Sequence, residues 1–216
     1  GRDRDRAQAF ATQWARPDRP LPRAEDRLES LLDDPAIDAV YVATPHAQHA
    51  EAVEACLRAG KPVLCEKPLV ATRAQTQRVL ALARKRQVFL MEALWTRFLP
   101  VYDAVGEILA SGRLGAVQHL QSSFCFPAPL DPQGRLYNPA LAGGALLDVG
   151  IYNLAMSRWA LARAAGVCPP ITRLEAVGRL APTGVDARLA ATLVFEGGAV
   201  AQFVCAFDGL GENALS

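Results

Sequence analysis

The run Asp38-Ala39-Val40-Tyr41-Val42-Ala43-Thr44-Pro45-His46-Ala47-Gln48-His49 decides how the first half of the chain folds. Its continuous apolar stretch, bounded by Asp38 and by Thr44-Pro45, predicts a strand buried on both faces. A helix is expected next, over about 47–59, with Gly60 as its C-terminal stop. Outward from there the alternation continues, with a strand at 62–65, a helix at 72–86 and a strand at 88–91. Upstream, 3–16 reads as a helix, followed by a Pro-rich loop through Pro22 and a short helix over 25–32. Strands alternating with helices of this length imply right-handed crossovers and a parallel sheet.

After Trp95 the pattern changes. A helix is expected at 101–110, a strand at 116–126, a Pro-rich stretch at 127–139 that can continue neither ladder, and a helix at 145–162. Three strand-like runs follow, at 173–180, 187–195 and 199–207, the last two joined by the hairpin signal Glu196-Gly197-Gly198. The expected class is therefore α/β: a parallel half over 1–94, then an α+β domain with an antiparallel sheet over 95–216. No Gly-x-Gly-x-x-Gly run occurs, the chain opens on a charged helix, and it stops just after a strand. Both ends read as cut.

With 23 Lys and Arg against 22 Asp and Glu, the surface offers no excess positive charge for nucleic acid or for an anionic membrane. A hydrophobic fraction of 51% over 216 residues is ample for a buried core. No uninterrupted apolar run reaches the length of a membrane span, and the charged start is unlike a signal peptide, so a cytoplasmic protein is expected. Cys56, Cys65, Cys125, Cys168 and Cys205 are scattered and odd in number, which suits core residues in a reducing compartment.

Several segments carry polar groups where a parallel sheet presents its ligand crevice. Cys65-Glu66-Lys67-Pro68 ends a strand, and Lys67 is one of only three lysines, so it reads either as an ammonium aimed at a substrate hydroxyl or cofactor ribose, or as a solvated loop residue. Thr44-Pro45-His46-Ala47-Gln48-His49 opens a helix whose N-terminus suits an anion, with Thr44 placed to cap it. His46 and His49 share a face, yet no third ligand lies near, so no metal site is expected. In Gly143 through Tyr152, Asp148 and Tyr152 are helical neighbours at i, i+4; they read as an acid–base pair lining a cleft, or as a helix-start Asp and a core Tyr. A nearby Lys67 would favour the ionised phenol. Arg2-Asp3 stands where an adenosine ribose would lie, or is a solvated charge run; Trp95-Thr96-Arg97-Phe98 walls a nicotinamide, or packs the two halves together.

Taken in order, these segments resemble the Gfo/Idh/MocA oxidoreductases, the family grouped around glucose-fructose oxidoreductase and inositol dehydrogenase, and within it the branch of dihydrodiol and D-xylose dehydrogenases. The resemblance rests on 39–45 with His49, on Gly60 through Pro68, on Met91 through Phe98, on Gly143 through Tyr152 and on Thr183-Gly184-Val185-Asp186. It implies a partial Rossmann domain followed by an α/β domain with an open, mostly antiparallel sheet, and a nicotinamide cofactor, NADP with NAD as the alternative. It also implies Lys67, Asp148 and Tyr152 as the catalytic set, and Arg2, Tyr41, Thr44, Pro45, His49, Glu66, Lys67, Trp95 and Arg97 around the coenzyme. The implied activity is hydride transfer at a secondary alcohol of a cyclic diol or an aldose, in a homodimer. Gly1 stands where the branch carries Ser before Arg-Asp, and by comparison the Gly-rich turn and the C-terminal part are missing. The competing expectation is a non-catalytic scaffold that no longer holds nucleotide.

Overall fold

A computed structural model describes residues 3–214. The first sheet is parallel, in the order β1-β2-β3, built from β1 (Val40–Val42), β2 (Val63–Glu66) and β3 (Leu90–Ala93). Helices α1 (Arg4–Gln13) and α2 (Leu28–Leu32) precede it, and α3 (His46–Arg58) and α4 (Arg73–Arg86) make the crossovers. On α3 the buried residues are His49, Ala50, Val53, Cys56 and Leu57, one stripe of a 3.6-residue period, and they pack against Val42, Val63 and Cys65. Full burial of a Val or Leu side chain stabilises by about 1.5–3 kcal/mol. The helix ends where Gly60, at φ +75°, lets its own N–H reach the Leu57 carbonyl while the Lys61 N–H reaches Cys56. Thr72 and Gln75 close a reciprocal cap at the start of α4.

Two expectations change in this half. β1 is only three residues long and lies at the edge of the described sheet, with Tyr41 56% exposed rather than buried. An apolar run does not say whether each face of a strand is covered, and a tyrosine tolerates an open face because its hydroxyl stays wet. Thr44 does not cap α3 by its side chain; Pro45 occupies the capping position, and no side chain bonds there.

The second sheet runs β4-β7-β6-β5, from β4 (His119–Cys125), β5 (Ile171–Leu180), β6 (Asp186–Phe195) and β7 (Val200–Ala206); only β4 and β7 are parallel. Leu193, Phe195, Phe203 and Phe207 point from it into a core shared with Ala145, Val149 and Trp159. Helices α5 (Pro100–Ala110) and α6 (Ile151–Ala165) cover that core. The helix expected at 145–162 instead opens with a wider π turn, Leu146–Gly150, before α6 begins. Such turns change which side chains face together and leave no spacing signature in a sequence. The helical stretch Pro139–Ala165 is long and apolar enough to cross a membrane. It nevertheless carries Asp148, Asn153 and Ser157 as buried polar groups and contributes to the core, as the packing helix of a globular lobe does.

Candidate active site

The carboxyl end of β2 carries Glu66 and then Lys67, whose bond to Pro68 is cis. Lys67 leaves the first sheet and ends against the π turn of the second lobe. Its ammonium donates to the Asp148 carbonyl at 2.5 Å and to Asp148 Oδ1 at 2.7 Å. The same Nζ lies 5.4 Å from the centre of the Tyr152 ring. An ammonium has three N–H groups, so one is left for a further acceptor. The three residues proposed as catalytic therefore meet in one crevice between the lobes, although Tyr152 follows the π turn rather than continuing a regular helix from Asp148.

Asp148 is nearly inaccessible, its side chain only 4% exposed. Burial works against its charge, but Lys67 and Arg135 outweigh that penalty and hold its pKa below the usual carboxylate range. Arg135, from the Pro-rich stretch, donates to the same Oδ1 at 2.9 Å. His46 completes the surround: its Nδ1 faces the Ala142 carbonyl at 3.0 Å, so that nitrogen carries the proton and Nε2 is turned to Oδ1, 3.8 Å away. Burial depresses the His46 pKa, against the opposing pull of Ala142 and Asp148.

Tyr152 behaves differently from the expectation. Burial raises its pKa, the bond it accepts from Trp95 Nε1 at 3.1 Å opposes this, and Glu66 and Asp148 push it further up. Asp148 neutralises much of the ammonium that was expected to ionise the phenol, so Tyr152 rests as a proton donor. Phe124 packs 5.6 Å away from its ring, centre to centre.

The residues assigned to a coenzyme divide. Tyr41 donates its hydroxyl to Glu66, whose charge together with partial burial pushes the Tyr41 pKa up to about 12. Thr44, Pro45 and Glu66 line the carboxyl edge of the sheet with Lys67, and Trp95 is 57% exposed beside them. His49 departs from the expected contact role: it is fully buried, with Nδ1 and Nε2 each 2.8 Å from a carbonyl, of Pro68 and of Thr44. It ties the end of β1 to the Lys67 loop. Arg97 also turns away, its guanidinium stacking 5.9 Å from the Trp159 ring. Arg2 lies outside the described residues, while Asp3 beside it caps α1 by accepting from the Arg6 N–H at 3.0 Å. Tyr137, in the Pro-rich stretch, is a core residue bonded to the Ala128 and Phe207 carbonyls.

Sequence reasoning missed Arg135, His46 as a neighbour of Asp148, and Asp186. Asp186 accepts the Leu146 N–H at 2.6 Å and so caps the π turn from β6. Its signal was present in the Thr183-Gly184-Val185-Asp186 motif, without an indication of role.

A parallel sheet that brings Lys67 onto Asp148 and close to Tyr152 of a second lobe with a mixed sheet defines a two-lobed α/β chain. Residues 1–94 match the family described as "Oxidoreductase family, NAD-binding Rossmann fold", and 102–215 match the "GFO/IDH/MocA C-terminal domain". The chain belongs to the GFO/IDH/MocA oxidoreductase family. It is similar to the trans-1,2-dihydrobenzene-1,2-diol dehydrogenases of Mus musculus, 38% identical over 96% of this chain and 59% of that protein, and of Homo sapiens, 38% over 100% and 61%. Among solved structures it resembles the aldose-aldose oxidoreductase from Caulobacter crescentus complexed with glycerol, with TM-score 0.82 and 28% identity over 94% of this chain and 60% of that one. It also resembles KijD10, a 3-ketoreductase from Actinomadura kijaniata in complex with NADP and TDP-benzene, with TM-score 0.81 and 31% identity over 100% and 62%. The chain spans about three-fifths of the length of these relatives.

Proposed function

We propose that this chain carries the catalytic crevice of an NADP(H)-dependent oxidoreductase, NAD being the alternative coenzyme, acting on a secondary alcohol of a cyclic diol or an aldose or on the corresponding carbonyl. The observation that carries this reading is the convergence of Lys67 Nζ on Asp148 at 2.7 Å, with the Tyr152 ring 5.4 Å away. The solvent-exposed faces of Trp95 and Tyr41, with Glu66 and Lys67 between the lobes, suit the nicotinamide end of a dinucleotide. When bound, that group supplies or accepts a hydride. The chain's own residues do the rest: Lys67 offers its unused N–H to the reacting oxygen, and Asp148 fixes Lys67. Tyr152 holds the proton that the oxygen gains on reduction and loses on oxidation. A protonated phenol at neutral pH favours carbonyl reduction there and alcohol oxidation at alkaline pH. The exposed Val177 on β5 and Val204 on β7 lie in register across Ala190 on one face of the second sheet and support a homodimer through it.

The test is turnover with NADPH or NADP and candidate diols and aldoses: Tyr152→Phe and Lys67→Ala each lower kcat by about 10²–10⁴. Wild-type turnover in both variants removes the mechanism. The competing reading is a non-catalytic scaffold that holds no nucleotide. NADPH titrated against tryptophan fluorescence separates the two, since saturable quenching that Trp95→Phe abolishes contradicts the scaffold.

A further inference from the structure

Lys67 and Arg135 both donate to Asp148 Oδ1, at 2.7 and 2.9 Å, and among the described residues no donor reaches Oδ2. Asp148 is thus held by two cations on one oxygen, while its other oxygen, on a side chain only 4% exposed, keeps its acceptor capacity unused. The Arg135 side chain is 62% exposed, yet the backbone that carries it is fixed. Next to it the Leu136 carbonyl accepts the Gly144 N–H at 2.9 Å, and Tyr137 is buried with its hydroxyl on two carbonyls. Gly143 passes so close that an added Cβ would lie 2.5 Å from the Leu136 carbonyl oxygen. The stretch that presents Arg135 is built against the turn that presents Asp148.

We propose that Arg135 is a positioning residue of this site: it pins Asp148 through Oδ1, leaves Oδ2 for a substrate hydroxyl, and balances the second carboxylate of the crevice. This rests on the function proposed above. The charged and titratable groups facing Tyr152 are Glu66 from β2, Asp148 from the π turn, Tyr102 from α5 and Lys67, 5.4 Å from its ring; Arg135 from the Pro-rich stretch and His46 from α3 face Asp148 and reach Tyr152 through it. Lys67 and Arg135 offset Glu66 and Asp148. Without Arg135 the balance is one negative charge, which opposes any phenolate or alkoxide forming in the crevice.

The experiment uses Arg135→Gln and Arg135→Lys, each with and without Tyr152→Phe, so that the difference in tyrosinate ultraviolet absorbance isolates Tyr152. Arg135→Gln is expected to raise the Tyr152 midpoint by about one pH unit and to raise KM for the alcohol more than it lowers kcat. Arg135→Lys restores the midpoint, because the charge returns. It does not restore KM fully, because a single ammonium lacks the planar fork. An unchanged midpoint in Arg135→Gln overturns the proposal. So does an equal shift in Arg135→Lys, which would mark a merely structural loss. Retained turnover in Tyr152→Phe removes the proposed function instead, and the absorbance titration still judges Arg135 by itself.

Discussion

Two aspartates hold opposite sides of the same π turn, and their environments push them in opposite directions. Asp148, on the turn, overcomes its burial because Lys67 and Arg135 face it, and its pKa is lowered. Asp186, reaching the turn from β6, has burial as its largest influence and only backbone N–H groups of the turn and its own strand in opposition, so its pKa is raised. A carboxylate surrounded by cations is prepared to meet another charged or polar group. One bonded to amides is part of the frame. Contact with the turn does not separate the two, since one lies on it and the other bonds to it; the charge of the neighbours does.

The largest effect expected from breaking this contrast is on turnover. Asp148→Asn removes the partner that fixes Lys67 and lowers kcat/KM by at least about a hundredfold, while Asp186→Asn leaves turnover within about tenfold; steady-state kinetics of both variants decides. The next is on stability. Asp186→Ala leaves the Leu146 N–H without its acceptor and costs about 1–3 kcal/mol, read from urea denaturation of the chain.

The pH dependence of unfolding sharpens the same comparison, because the signs differ. Asp148, with its folded pKa depressed, contributes stability above the unfolded value of about 3.9 and loses it as pH falls through the folded one. Asp186, with its folded pKa raised, contributes stability below about 3.9 and loses it as pH rises through the folded value. Melting temperatures from pH 7 downward should show a shallower acid loss in Asp148→Asn than in wild type, and a steeper one in Asp186→Asn. The smallest effect is expected at the exposed Arg173–Glu175 pair on β5, where Arg173→Ala changes stability by no more than about 0.5 kcal/mol in the same denaturation assay.

The legible parts of the molecule are those with a period or a rare residue behind them. The α3 stripe from His49 to Leu57 and the Glu196-Gly197-Gly198 hairpin follow from spacing alone. Lys67 was legible because only three lysines occur among so many arginines, and Asp148 because a carboxylate on an apolar face needs a partner. Arg135 was not: it is one of twenty arginines and lies in a Pro-rich stretch without periodicity. The exposure of Tyr41 was not legible, because a five-residue apolar run does not say which face of a strand is covered. Arg97 and His49 were assigned to the coenzyme by family resemblance, which does not show packing; the structure stacks the first on Trp159 and sets the second between two carbonyls. The Tyr152 pKa direction was misread because burial of the phenol, its largest influence, leaves no signature in the sequence.

The pH dependence of carbonyl reduction by the wild-type protein and by Tyr152→Phe, with NADPH saturating, tests the central claim most directly. The account predicts a wild-type rate that holds through neutral pH and falls only above the ordinary tyrosine range near pH 10, as Tyr152 loses its proton. The variant should be at least about a hundredfold slower and show no such fall. A variant that matches the wild type in both rate and alkaline decline would contradict it.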